Sequence, residues 1–138
     1  MNITRILVVA VALALAMLLR VSEPPTERYL AVLQSPDQRA TGWVVEVSVG
    51  GTLRLVPVGA PAAVPEGRAW QFWTKPEGAS GPTSLGLVRA GQTLQLPASS
   101  LPAVGARQLF EITLEPEGGS PVGRPTGPIL YVGTSVRL

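Results

Sequence analysis

Residues 114–133 read LEPEGGSPVGRPTGPILYVG. The segment leaves one apolar run, 109–114 (LFEITL), and enters another, 129–132 (ILYV). Between them stand Gly118, Gly119, Gly123 and Gly127, with Pro116, Pro121, Pro125 and Pro128. Proline fixes φ and donates no N–H, whereas glycine permits positive φ. That mixture excludes a helix or a central strand. It predicts a long, shaped connection between two strands. A disordered linker is the alternative, but disordered segments are rarely bracketed this tightly by apolar runs.

The flanking runs extend the pattern. In 109–114, Phe110, Ile112 and Leu114 share one face, opposed by Glu111 and Thr113. Glu111 therefore reads as a solvated charge. Residues 43–49 (WVVEVSV) alternate in the same way, and Gly50-Gly51 signals a hairpin into 52–56 (TLRLV). Residues 28–34 (RYLAVLQ) make a first strand, closed by the turn 35–38 (SPDQ). Residues 68–75 (RAWQFWTK) put Trp70 and Phe72 on one face and Trp73 on the other. Residues 83–89 and 93–96 bracket Ala90-Gly91-Gln92 as a second hairpin, and 97–105 holds room for one short helical turn. Short strands at regular spacing, separated by turn chemistry, predict an all-β fold: an antiparallel β-sandwich of about eight strands.

Composition agrees. The 138 residues are 46% hydrophobic, with Gly 15 and Pro 14. That is enough for one packed, turn-rich domain and a terminal segment. Net charge is +2, and the arginines are scattered rather than clustered with aromatics. Nucleic-acid binding is not expected. With no cysteine and no histidine, disulfides, thiolate metal sites and the usual Ser–His chemistry are excluded.

At the N-terminus, residues 6–19 (ILVVAVALALAMLL) are fourteen consecutive apolar residues between Arg5 and Arg20. That length suits a signal-peptide core. Arg20, however, stands where a cleavable signal would have small residues, and both arginines can snorkel to lengthen the usable span. The reading favours an uncleaved single-pass anchor over a cleaved signal. The predicted divisions are a tail (1–5), a transmembrane helix (6–21), a Pro-containing spacer (22–27) and a β domain (28–138). Arg5 before the span places the N-terminus in the cytoplasm and the β domain outside.

Enzyme chemistry finds no footing. Glu115 and Glu117 flank Pro116 at the loop entrance and suggest a cation site, but the single Asp in the chain argues against calcium. Ser84 and Ser120 lack a histidine, and Lys75 is the sole lysine. Neither a cofactor nor a metal is expected. Ser120 and Thr126 read as turn-shaping residues. Trp73 is the candidate surface aromatic, at a sheet rim where its indole N–H finds a partner.

The segment LEPEGGSPVGRPTGPIL closely resembles the C-terminal signature of the anti-sigma-K factor (RskA-type) family, in its extracytoplasmic domain. RYLAVLQSPDQRATGWVVEVSV and AWQFWTKPEGASGPTSLGLV resemble earlier parts of that family, in order. The resemblance covers roughly residues 29–133. It marks Glu115, Pro116, Gly118, Gly119, Ser120, Pro121, Gly123, Pro125, Thr126, Gly127 and Pro128 as a signature loop with a structural or partner-binding role. It implies a plasma-membrane regulatory protein whose outer, periplasmic-side domain helps control a sigma factor through signal-dependent proteolysis by envelope proteases. Family members usually carry a cytoplasmic zinc-type anti-sigma domain before the span. Here only residues 1–5 precede it, so a sigma factor or a separate anti-sigma protein is the expected partner. An exported β-sandwich that binds an envelope component or protein, with no sigma-factor role, is the alternative.

Overall fold

The computed structural model describes residues 2–21, 26–60 and 62–138. Residues Ile3–Val21 form helix α1, rich in alanine and leucine and free of glycine and proline. Ile6, Leu7, Val8 and Val9 are all exposed. At about 100° per residue these consecutive positions circle the helix, so its apolar surface is uncovered all round. Among the described residues no helix is long and apolar enough to cross a membrane. The spacer's residues 22–25 and the snorkelling Arg20 side chain lie outside the described residues.

Among the described residues nine strands follow: β1 (Arg28–Gln34), β2 (Thr41–Ser48), β3 (Thr52–Pro57), β4 (Arg68–Lys75), β5 (Thr83–Val88), β6 (Leu94–Pro97), β7 (Leu109–Pro116), β8 (Ile129–Thr134) and β9 (Val136–Arg137). A 3-10 turn at Ala98–Ser100 supplies the expected helical turn. All strand pairs are antiparallel, in the order β5-β4-β7-β8-β1-β2-β3-β6, and β9 also pairs with β1.

Two expectations need correction. The strands form one continuous, nearly closed, barrel-like sheet rather than two separate sheets. The reason is β1, which pairs with β2 along one edge and with β8 and β9 along the other. The β1–β8 junction holds a single register pair, Gln34↔Val132, so the sheet turns sharply there. The second correction concerns β5 and β6, which do not form a hairpin. The turn Arg89–Gln92 is present, its Gln92 N–H donating to the Arg89 carbonyl. It hands the chain from β4's edge to β3's edge, because β5 pairs back on β4, the strand before it, and β6 pairs at long range with β3.

The curled sheet wraps its inner faces round one core. Leu33, Val45, Leu53, Leu55, Phe72 and Ile112 are fully enclosed. Trp43 on β2 meets Trp70 on β4 edge-to-face across the interior, ring centroids 6.3 Å apart, and Phe72 stacks on Phe110 at 5.9 Å. Such pairs add about 0.5–1.5 kcal/mol beyond area burial. Gly133 sits where β8 crosses β1, and a Cβ there would lie 2.2 Å from the Val32 carbonyl oxygen.

Phe72→Ala should destabilise the domain by about 3–5 kcal/mol through lost burial and a residual cavity. A denaturant titration would read this as a lowered midpoint at unchanged slope; an unchanged midpoint would contradict the enclosed core.

Candidate functional site

The alternation of β7 predicts Glu111 and Thr113 in solvent. The structure buries them instead: Glu111 is 6% exposed, Thr113 0% and Glu115 0%. On the neighbouring strand Gln71 and Trp73 face the same way and are likewise buried. Both faces of β4 and β7 are therefore covered. The inner face meets the core, and the outer face meets the connection that follows β7.

That connection is ordered by specific bonds. The Trp73 indole N–H donates to Thr113 Oγ1 at 2.9 Å, and Thr113 Oγ1 donates to Glu115 Oε1 at 2.6 Å. The Glu115 carboxylate also accepts the Thr126 N–H (3.0 Å), the Gly127 N–H (3.4 Å) and the Thr126 hydroxyl. Farther along the loop, the Ser120 N–H donates to Gln71 Oε1 at 2.7 Å, while Gln71 Nε2 donates to Ser84 Oγ at 2.7 Å. The Ser120 hydroxyl closes the crest of the loop by donating to the Arg124 carbonyl. Arg68 Nε donates to the Glu115 carbonyl at 3.1 Å, holding the strand end where the loop departs.

Glycine is required where the loop meets the strands. A Cβ on Gly127 would lie 1.6 Å from the Leu114 carbonyl oxygen, so no side chain fits without moving the backbone. Gly119 has φ +100°, and a Cβ there would press on Gln71 and Leu87. Gly118 and Gly123 also take positive φ, and Pro116 accepts the Gly119 N–H to start the turn. Glu115, Gly119, Ser120, Thr126 and Gly127 thus tie the connection down as a roof over β4 and β7.

Trp73 is not a surface aromatic: it is 0% exposed. Its indole N–H does find a partner, but beneath the roof rather than at a rim. Glu115 and Glu117 do not converge, since Glu115 turns inward to the loop's N–H groups and Glu117 is exposed. Among the described residues no group of three or more acidic, histidine or cysteine side chains is placed to hold a metal. Sequence reasoning missed Gln71, Thr113 and Arg68. The available signal was the polar row Glu111, Thr113 and Glu115 on a strand paired with Gln71 and Trp73.

The two buried carboxylates titrate in opposite directions. Burial pushes Glu115 up, but hydrogen bonds from Thr113, from the Thr126 side chain and from the Thr126 and Gly127 backbone outweigh it, and its pKa is lowered. For Glu111, burial and then the negative charge of Glu115 raise the pKa, against the opposing pull of Lys75.

The profile of the anti-sigma-K factor rskA, C-terminal, family matches residues 6–129. The chain belongs to this family, whose designation is regulatory, of anti-sigma type. The match begins within α1, takes in β1 through β7 and the whole roof, and ends at the first residue of β8. No curated protein and no solved structure matches the chain significantly.

The opposed shifts give a pH profile. Between the unfolded glutamate value, about 4.3, and the raised pKa of Glu111, the folded chain holds the extra proton. Stability should therefore rise as pH falls through that window. Glu115 stabilises fully above the unfolded value, and its contribution is lost as pH falls onward through its lowered pKa. Melting temperature against pH should peak on the mildly acidic side. Glu111→Gln should remove the rise, and Glu115→Gln should flatten the acid-side loss. Glu115→Gln should also cost about 2 kcal/mol at neutral pH, because an amide NH2 would face N–H donors. Gly127→Ala should cost at least about 2 kcal/mol by displacing the backbone, and an unchanged denaturant midpoint would refute the close approach to Leu114.

Proposed function

We propose that the chain is a membrane-anchored, anti-sigma-factor-like regulatory protein whose β domain works outside the cytoplasm and contributes to control of a sigma factor. The observation that carries this reading is the extent of the family match, from the apolar helix to the first residue of β8. An apolar surface exposed all round α1 suits lipid better than water. Arg5 before it favours a cytoplasmic N-terminus. In this reading residues 1–5 are the tail, 6–21 the anchor, 22–27 the spacer and 28–138 the outer domain.

The signature loop, Glu115 to Pro128, is the outer domain's fixed feature. Its crest carries exposed Val122 and Arg124 on a base locked to β4 and β7. A rigid crest is suited to be met by a partner without ordering cost. Regulation acts through envelope proteolysis of the anchor, and a sigma factor or a separate zinc-type anti-sigma protein is the inner partner.

Mild crosslinking of the tagged full chain, followed by membrane isolation and mass spectrometry, tests this. Recovery of a sigma factor or of a zinc-type anti-sigma protein is the expected result. Recovery of envelope proteins alone, with sigma factors detected in the input, would sink the reading and leave an exported binding module.

A further inference from the structure

The roof covers the outer face of β4 and β7, whereas the outer face of β1, β2 and β3 is bare among the described residues. Alternation sends Tyr29, Ala31 and Leu33 into the core, and so turns Leu30 and Val32 outward. Register then gathers aliphatic neighbours around them. Val32, Val44 and Val56 stand in one cross-strand row, and Leu30 stands opposite Val136. Directly opposed side chains have Cβ atoms about 5 Å apart, so the five residues form one contiguous aliphatic surface. Val32 is 42% and Val136 57% exposed, and the other three are half-buried. A sheet face turned to water normally carries polar residues at these positions. Here the polar groups stand at the rim. Arg54 pairs with Glu46 at 3.5 Å, and exposed Arg28 has no ion pair among the described residues.

The place of the patch in the chain says what can cover it. Residues 22–27 separate the end of α1 from Arg28, so even at full extension the two lie within about 25 Å. Arg28 opens β1, and Leu30 and Val32 follow it on the same strand, Val32 about 13 Å farther on. The bare face therefore begins at the point where the chain leaves α1.

We propose that this face rests on the surface of the bilayer that holds α1, with the aliphatic row at the boundary of acyl chains and headgroups and Arg28 among lipid phosphates. The proposal rests on the reading of α1 as the anchor. A specific protein partner is usually held by aromatic or arginine anchors seated in pockets, and the five residues of this face are all aliphatic. A lipid surface asks for no such complementarity: apolar area and nearby cations suffice. The short tether holds the face at an effective concentration of about millimolar order beside the membrane, so a weak affinity is enough to keep it there.

The chain has no cysteine, so a single introduced cysteine places one spin label. The full chain is held in nanodiscs of phosphatidylcholine and phosphatidylglycerol. Each label is read by the ratio of its collisions with oxygen, which concentrates among acyl chains, to those with an aqueous nickel chelate. Val32→Cys and Val136→Cys report the face, and Val11→Cys reports α1. Val122→Cys is the matched control: it is an exposed valine of the roof, and the inner faces of β2 and β4 meet through Trp43 and Trp70, so their outer faces point apart. Positions 11, 32 and 136 should read as lipid, and position 122 as water. Val44→Glu, with an unchanged melting temperature, should return positions 32 and 136 to the reading of position 122. Water-like positions 32 and 136 beside a lipid-like position 11 would overturn the proposal and leave the anchor standing. Water-like readings at all three would overturn both. Lipid-like positions 32 and 136 with a water-like position 11 would sink the anchor and keep the lipid contact of the face. A lipid-like reading that survives Val44→Glu would belong to the label and overturn the proposal. So would labels at position 32 shielded from both reagents and broadened by one another, which would assign the face to a second copy of the chain.

Discussion

The carboxylate of Glu115 accepts hydrogen bonds from Thr113, Thr126 and Gly127, and so joins the end of β7 to the far end of the long connection. The connection has few apolar side chains with which to hold itself down. Its order comes from polar bonds made out of water, where charge-assisted bonds are strongest and an unmet carboxylate is most costly. The roof then buries Trp73 and Thr113, and their own bond completes the chain of donors beneath it. Loop, buried face and carboxylate depend on one another, as in any fully satisfied polar network.

A second dependence runs through β1. Among the described residues it links the two halves of the sheet, by β2 on one side and by β8 and β9 on the other. The curl it creates brings Trp43 and Trp70 face to edge.

The sequence made the strands legible because alternation is local. Trp43, Val45 and Val47, or Leu53 and Leu55, can be assigned to an inner face with no knowledge of what they meet. Glycine and proline likewise mark the loop, since their backbone limits are properties of single residues. Alternation could not say what covers the other face, so Glu111 and Trp73 were misplaced toward solvent. It also could not choose strand partners: Ala90-Gly91-Gln92 fits a hairpin turn and a crossing equally well, and long-range pairing decided the matter. Of the site, Glu115 and Thr126 were visible as signature residues, but Gln71 and Arg68 join it only through folding.

The pairing of β9 with the start of β1 has a mechanical meaning. Leu138 donates its N–H to the Arg28 carbonyl at 2.9 Å, and Arg137 pairs with Glu27 at 3.2 Å. The place where the chain enters the β domain and the place where residue 138 lies are therefore neighbours. A pull that separates these two points loads the short β9 ladder one bond at a time, as a zipper, rather than shearing a long strand. Tension would open the domain at its seam by the entry point, peeling β9 first and β8 after it.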